Sequence, residues 1–308
     1  MWFGIGVCSA LLTVLSVFLN LLVIISISHF RKLHTPTNLI ILSLAVVDLL
    51  VGLIVMPIEA IKLIETCWYF GETLCDLFMI IMGLLISTSI CNLVLVAVDR
   101  YVAVCHPLLY PQKITTTKTL ISICLCWFFS STYNIGYLIS GRYFESSQRP
   151  DVCYGKCYLV VSFSWTFTDL FFSFVLPCSL IITLYLRIFY VAHQQVKLLN
   201  SLLKSGKCVM EGSVRRKSER KAAMTLGIIV TAYLLCYIPY TILSVTGTTV
   251  ISSATITFLI WTMYVNSSLN PLIYALFYRW FKISVKHILT LKILEPSSAL
   301  MDIFTDYK

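Results

Sequence analysis

Charged residues are scarce in this 308-residue chain: Asp, Glu, Lys and Arg make up only 12% of it, whereas hydrophobic residues make up 58%. A water-soluble domain carries about 25% charged residues, so the composition excludes an ordinary soluble domain. Acidic residues are the scarcer group, with 14 against 23 Lys and Arg, and the formal net charge is +9. The mean hydropathy of +0.88 is typical of a membrane protein.

Motifs of catalysis are also missing. The sequence contains no evident nucleophile–base pair, cluster of metal ligands or phosphate-binding loop, so we expect neither an enzyme nor a bound cofactor. The two halves show no repeat of the kind that many membrane transporters carry, which makes a transporter the less favoured alternative. The basic segment Arg215-Arg216-Lys217 lies between two predicted spans, and we therefore expect no nucleic-acid partner.

Seven apolar runs dominate the chain, each as long as the roughly 20 residues that a helix needs to cross a bilayer. We predict spans at residues 4–28, 37–64, 72–105, 115–138, 162–191, 219–246 and 252–277. The fold class is thus an all-α membrane protein, a seven-transmembrane-helix bundle. A short amphipathic eighth helix, about 279–290, is expected on the membrane surface with Trp280, Phe281, Val285 and Ile288 in lipid. Residues 1–290 then form the seven-helix domain, and 291–308 a cytoplasmic tail.

Lys and Arg are unequally divided between the two sides that seven spans create. All but four of the 23 fall on one side, and the exceptions are Lys62, Arg142, Arg149 and Lys156. Because cytoplasmic loops carry the excess of basic residues, this side is predicted to be cytoplasmic and the N-terminus extracellular. The same basic surface favours contact with membrane lipid headgroups.

Cysteines agree with this orientation. Cys67, Cys75, Cys153 and Cys157 all fall on the outer side, where disulfides persist. Spacing alone leaves their pairing open.

Ionisable residues inside the spans are few, and each is a functional candidate because charge is costly in the hydrocarbon region. Asp48 lies midway along the second span. Oxygen-bearing residues of the third and seventh spans can surround it, namely Ser89, Asn266, Ser267 and Asn270. Such a group suits a small cation such as sodium. The alternative is a hydrated polar network that holds the helices together.

A charged motif, Asp99-Arg100-Tyr101, ends the third span on the cytoplasmic side, and Glu219 begins the sixth span on that side. We predict that Arg100 pairs with Glu219 and that this latch opens during switching. The alternative is that both charges are solvated. Pro239, inside the sixth span, is predicted to kink the helix and act as a hinge.

Together these residues resemble the rhodopsin-like G-protein-coupled receptors across nearly the whole chain. The matching landmarks are Asn20, Leu44-Ala45-Val46-Val47-Asp48, Cys75, Asp99-Arg100-Tyr101, Trp127, Pro177, Cys236-Tyr237-Ile238-Pro239 and Asn270-Pro271-Leu272-Ile273-Tyr274. The resemblance implies a heterotrimeric G protein as partner and a disulfide between Cys75 and Cys157. It also implies an activation switch made of Asp99, Arg100, Tyr101, Glu219, Pro239 and Tyr274.

The end of the seventh span narrows the resemblance. Residues 266–281 fill every fixed position of a pattern that is similar to trace amine-associated receptors: Asn266-Ser267, Asn270-Pro271, Tyr274, Tyr278 and Trp280-Phe281. The resemblance implies a small volatile or trace amine as ligand, a multi-pass protein of the plasma membrane, and signalling in olfactory neurons through a stimulatory G protein and cAMP.

One departure concerns the amine site. Receptors for amines usually hold the ligand ammonium with an aspartate of the third span, seven residues after the Cys75-type cysteine, and this position is Met82 here. Asp169 in the fifth span lies eight residues before Pro177, or about 12 Å along a helix, among phenylalanines. A buried carboxylate needs a counter-charge, so we predict that the amine binds Asp169, as in fish members that this chain resembles.

Correspondence with the family predicts the rest of the ligand cavity. Its lining is expected to comprise Met82, Gly83, Ile86, Ser173, Tyr237, Tyr240, Trp261 and Tyr264. Aromatic members would contact the cation through their ring faces. The alternative within the family is a receptor for a non-amine ligand in which Asp169 serves the structure only.

Overall fold

The computed structural model describes residues 2–65, 68–140, 142–146, 155–160, 163–204, 212–246, 253–295 and 298–300. This part of the chain is a bundle of helices. In chain order they are α1 (Trp2–His29), α2 (Pro36–Leu50), α3 (Met56–Glu65), α4 (Gly71–Cys105), α5 (Tyr110–Lys113), α6 (Thr116–Ser140), α7 (Phe163–Asp169), α8 (Leu176–Lys204), α9 (Gly212–Thr246), α10 (Ser253–Phe277) and α11 (Arg279–Leu289). Single 3-10 turns occur at Arg31–Leu33, Lys292–Leu294 and Ser298–Leu300.

The seven predicted spans correspond to α1, α2 with α3, α4, α6, α7 with α8, α9, and α10. Among the described residues, the first six spans are long and apolar enough to cross a membrane. The seventh, α10, has 25 residues, but its inner half carries asparagines and serines that lower its hydropathy. The all-α bundle is thereby confirmed.

Two spans contain a π-helical turn that the sequence analysis did not predict. Val51–Val55 separates α2 from α3, and Leu170–Val175 separates α7 from α8. Each turn ends two residues before a proline, Pro57 or Pro177. Proline has no N–H to donate and its ring crowds the preceding turn, so the hydrogen bonds there shift to wider i→i+5 spacing, as is common at functional sites.

The fifth and sixth spans extend farther into the cytoplasm than predicted. The polar link was expected at about 192–218, but α8 continues to Lys204 and α9 starts at Gly212. The added residues of α8 include Gln, Lys and Leu, which are good helix formers. Charge and polarity therefore mark where the membrane ends and not where the helix ends.

A small hairpin covers the outer end of the bundle. Strands β1 (Arg142–Ser146) and β2 (Gly155–Val160) pair antiparallel, with Phe144 opposite Cys157. Cys157 is bonded to Cys75 at the outer end of α4, with 5.6 Å between their Cα atoms, and this confirms the disulfide. Cys67 and Cys153 lie outside the described residues.

The eighth helix is oriented differently from the prediction. Trp280 and Phe281 are buried and not in lipid, because α11 follows α10 after a single residue and its first turn lies under the bundle. The Phe281 ring packs against Tyr274 at 6.5 Å between centroids, and the Trp280 ring against Tyr278 at 5.8 Å. Val285 and Ile288, one or two turns later, are half-buried.

Candidate functional site

A narrow central cavity lies between the second, third, sixth and seventh spans. Its free volume is about 10 Å³, which is room for about one water molecule. The lining residues are Val47, Asp48, Val51, Val55, Met82, Leu85, Ile86, Ser89, Tyr237, Tyr264 and Ser267. The cavity therefore joins four of the residues predicted for the ligand to three of those predicted for the ion.

Asp48 forms the polar floor of this cavity. Its side chain is 1% exposed, and its Oδ2 accepts a hydrogen bond of 2.8 Å from Nδ2 of Asn270. Ser89 and Ser267 line the same space. Asn266 is also buried, and within the described residues its Oδ1 has no hydrogen-bond partner.

Aromatic and sulfur-containing side chains form the upper part of the cavity. Tyr264 donates a hydrogen bond to the Met82 sulfur at 3.7 Å, and Trp261 packs edge-on against Tyr264 at 5.8 Å between centroids. Tyr237 stacks on Tyr233 at 4.1 Å and 17°. The Met82 sulfur is thus engaged by a tyrosine hydroxyl.

Besides Asp169, four residues predicted for the ligand cavity are absent from its lining, namely Gly83, Ser173, Tyr240 and Trp261. Tyr240 is half-buried on α9. Gly83 packs against the fourth span, where an added Cβ would overlap the side-chain oxygen of Asn134. Asn134 is held there by hydrogen bonds to Ser87 Oγ at 3.1 Å and to the Ser130 carbonyl at 2.8 Å. Glycine at this position permits the close approach of α4 and α6.

Asp169 lies at the interface of the fourth and fifth spans and is not part of the cavity lining. It is the last residue of α7, directly before the π-helical turn. Its Oδ1 accepts two hydrogen bonds, one from the Tyr133 hydroxyl on α6 at 2.7 Å and one from Ser173 Oγ at 2.7 Å. Neighbouring Phe167, Phe171 and Phe172 are exposed to the membrane side, whereas Asp169 is half-buried. The carboxylate therefore faces the protein and not the lipid.

The second oxygen of Asp169 differs from the first in its hydrogen bonding. Within the described residues, Oδ2 accepts no hydrogen bond and forms no ion pair, and it is not one of the buried unpartnered atoms. Since an ionised carboxylate offers about four acceptor positions, Tyr133 and Ser173 fill those of one oxygen and orient the other. Sequence reasoning missed Tyr133, because no local pattern identifies which fourth-span residue faces Asp169.

A hydrogen-bonded cluster closes the cytoplasmic end. Arg100 donates to Oδ2 of Asp99 at 2.6 Å and to Thr37 Oγ1 at 2.6 Å. Thr37 donates to Asp99 Oδ2 at 2.8 Å, and the Tyr110 hydroxyl donates to Asp99 Oδ1 at 2.9 Å. Burial, followed by the Asp99 charge, raises the pKa of Tyr110 to about 12, so its phenol stays a donor. Thr37 and Tyr110 were not predicted.

The remaining switch residues occupy their predicted elements. Pro239 lies inside α9, and Tyr101 follows Arg100 on α4, edge-on to the His106 ring at 5.5 Å. Tyr274 is buried near the end of α10, and within the described residues its hydroxyl has no hydrogen-bond partner. The Glu219 side chain, and with it the Arg100–Glu219 latch, lies outside the described residues.

Comparison with known proteins agrees with this architecture. Residues 19–274 match the family described as 7 transmembrane receptor (rhodopsin family). Trace amine-associated receptor 13c of Danio rerio is 41% identical over 294 residues, covering 93% of this chain and 85% of that protein. Trace amine-associated receptor 6 of Rattus norvegicus is 40% identical over 301 residues, covering 95% and 87%. The human receptor 6 is 39% identical over 302 residues, covering 96% and 87%. The chain therefore belongs to the rhodopsin family of seven-transmembrane receptors and, within it, to the trace amine-associated receptors, which are membrane receptors and not enzymes.

Proposed function

We propose that the protein is a receptor for small amines in which Asp169 binds the ligand ammonium. The observation that carries this proposal is the pair of Asp169 oxygens: Oδ1 accepts bonds from Tyr133 and Ser173, whereas Oδ2 has no hydrogen-bond partner within the described residues. A carboxylate among aromatic rings is costly without a counter-charge. A ligand ammonium supplies that charge and a charge-assisted hydrogen bond. The names of the similar receptors also refer to trace amines.

Signalling follows from a shift between two helix arrangements. An amine bound from outside and a heterotrimeric G protein bound from inside stabilise the same arrangement, and each therefore strengthens the binding of the other. The moving element is α9, which bends at Pro239, while the Arg100 cluster opens at the cytoplasmic end. The receptor sits in the plasma membrane with its N-terminus outside, and it serves chemosensory neurons through a stimulatory G protein and cAMP.

Asp48 is the proposed site of a regulatory sodium ion. The donor set fits such an ion, because a buried carboxylate and two serine hydroxyls line one cavity. Asn270 donates to that carboxylate, and its Oδ1 has no partner within the described residues. These are the hard oxygen ligands that small cations prefer. The ion would supply a positive charge that offsets Asp48. If so, sodium chloride raises the melting temperature of the detergent-solubilised receptor relative to choline chloride, and Asp48→Asn removes the difference. An equal effect of both salts on the unmodified receptor would contradict the assignment.

The amine site is tested by Asp169→Asn, which keeps the size of the side chain and removes its charge. Loss of one charged hydrogen bond is worth about 1.5–3 kcal/mol, so amine potency should fall by roughly 10- to 100-fold. The assay is cAMP production in response to a panel of amines, normalised to receptor at the cell surface.

Asp76→Asn serves as the matched control, since Asp76 is a half-buried carboxylate near the outer end of α4. The potency of amines at the Asp76→Asn receptor should be unchanged. Full potency of Asp169→Asn toward every active amine would favour the other candidate, a receptor for a non-amine ligand with a structural Asp169.

A further inference from the structure

Lys62 holds its ammonium group against a carboxylate and an aromatic ring near the outer end of the second span. Its Nζ lies 2.8 Å from Oε1 of Glu59, which is one turn earlier on α3. The same Nζ lies 5.4 Å from the centre of the Phe78 ring on α4. The Lys62 side chain is only 24% exposed and the Glu59 side chain only 12%, so both charges are largely withdrawn from water.

These three side chains lie at the outer end of the central cavity. Val55 and Met82 line the cavity, and Glu59 and Phe78 lie one turn farther out on the same two spans. The charge of Glu59 also acts electrostatically on Tyr264, which lines the cavity from the seventh span. An ammonium bound between Glu59 and Phe78 is therefore placed between the outer surface and the cavity.

The contacts of Lys62 are those by which a protein binds an amine. An ammonium gains a charge-assisted hydrogen bond from a carboxylate, and a ring face within about 6 Å attracts it further. An ordinary ion pair on a helix surface has no such ring from a neighbouring helix, and both of its charges stay in water. Beyond its Cβ atom, a lysine side chain has the same atoms as n-propylammonium, so Lys62 itself shows which ligand fits.

From these contacts we propose that Glu59 and Phe78 form a second amine-binding site, which Lys62 occupies until the primary ammonium of a ligand takes its place. The ligand class is a small primary alkylammonium, because this is the group that Lys62 presents. An ion pair between adjacent turns of one helix is weak, and a lysine chain can carry its ammonium outward to water, so a ligand can displace it. The site does not depend on Asp169, which lies between the fourth and fifth spans.

Lys62→Ala tests the site, because it removes the atoms of one n-propylammonium ion and leaves Glu59 without its partner. n-Propylammonium chloride is added to the purified, detergent-solubilised receptor at constant ionic strength, and the melting temperature is measured. The Lys62→Ala receptor should show a saturable rise, since the ion restores the missing charge and stabilises the folded state by binding to it. n-Propanol, which has the same chain and no charge, should give no saturable rise.

Three further variants separate charge, space and ring. Lys62→Met keeps the aliphatic chain without the ammonium, so it fills the space and should show no rise. Glu59→Gln, combined with Lys62→Ala, should abolish the rise. Phe78→Leu, combined with Lys62→Ala, should increase the half-saturating concentration roughly 2- to 30-fold, the range of one cation–π contact. Lys62→Ser leaves the same space and replaces Lys62→Ala if the latter does not fold.

All of these measurements are made in the Asp169→Asn background, so that an amine bound at Asp169 does not contribute. Lys286→Ala, which removes an exposed lysine of α11, is the matched control and should behave as the receptor with Lys62 intact. That receptor should need a higher concentration for the same rise, because the amine must first displace Lys62.

Two results would overturn the proposal. No saturable rise in the Lys62→Ala receptor, or an equal rise in the Lys62→Met receptor, would reject the site. No rise at any concentration with Lys62 intact would reject its displacement by a ligand. The cAMP response of the Asp169→Asn receptor to amines is a separate measurement, and its outcome decides only the proposed function.

Discussion

Removing the Tyr110 hydroxyl should activate the receptor in the absence of ligand. Tyr110 donates to Asp99 Oδ1 at 2.9 Å, and Asp99 in turn holds Arg100 at 2.6 Å. In this arrangement the guanidinium donates to its neighbouring aspartate and to Thr37. Tyr110→Phe deletes one hydrogen bond to a charged group while keeping the ring.

The magnitude follows from the chemistry of that bond. The pKa of Tyr110, raised to about 12 mainly by burial, leaves the phenol fully protonated at physiological pH, so the donor is always present. Its bond to a carboxylate is worth about 1.5–3 kcal/mol, and the lower figure applies because Tyr110 is only half-buried. A loss of about 1.4 kcal/mol changes an equilibrium tenfold. A receptor that is about 1% active without ligand should become about 10% active.

The measurement is ligand-independent GTPγS binding in membranes with matched receptor content. Tyr190→Phe is the control: Tyr190 is also a hydrogen-bonded tyrosine, accepting from Gln194 at 2.7 Å, but it is exposed and distant from Asp99 in the sequence. A Tyr110→Phe receptor with unchanged or reduced basal activity would refute the claim that this cluster restrains the inactive arrangement.

Three other changes have defined outcomes. Gly83→Ala should lower the melting temperature, with a cost of about 1–3 kcal/mol for overpacking against Asn134. Gly136→Ala should not lower it, because an added Cβ there meets no atom of the described residues within 4 Å. Cys75→Ser opens a disulfide that spans 82 residues and should cost about 2–5 kcal/mol, seen as reduced surface expression and lower thermal stability. Met82→Asp adds a carboxylate to the central cavity and should improve the potency of diamines by roughly tenfold through one charged hydrogen bond. Met82→Asn is the control and should not improve it. Equal diamine potency at these two variants would argue against a cation reaching the cavity.

Sequence alone predicted the parts of the fold that depend on long apolar segments and on short ordered motifs. The spans, the Cys75–Cys157 disulfide and the proximity of Asp48 to Asn270 all follow from such patterns, with the pairings taken from the family resemblance. The π-helical turn that follows Asp169 was missed, although Pro177 marked a disturbed helix. A proline shows that a hydrogen bond is lost but does not show how the preceding turn rearranges.

Residues that act through contacts between spans were harder to predict. Tyr133 and Asp169 are 36 positions apart, and Thr37 and Asp99 are 62 apart. In a soluble helix the polar face is distinguishable from the core face, but in a membrane span both the lipid face and the packed face are apolar. Periodicity therefore does not tell which tyrosine of α6 points to the fifth span, and only the assembled bundle brings the hydroxyl to the carboxylate.

Because Asp169 lies outside the central cavity, a ligand bound there must act on the cytoplasmic switch residues through some other element. A ligand shifts a conformational equilibrium only as far as it binds the two arrangements differently. Asp169 immediately precedes the π-helical turn Leu170–Val175, and Phe174 within that turn packs on the core cluster that contains Tyr233. Tyr233 stacks on Tyr237 at the cavity wall. A change between π and α spacing in this turn would rotate Asp169 relative to Tyr133 and displace Phe174 at the same time. The π-helical turn can therefore couple the two sites, because its π and α states differ both in their affinity for the amine and in their packing against the sixth span.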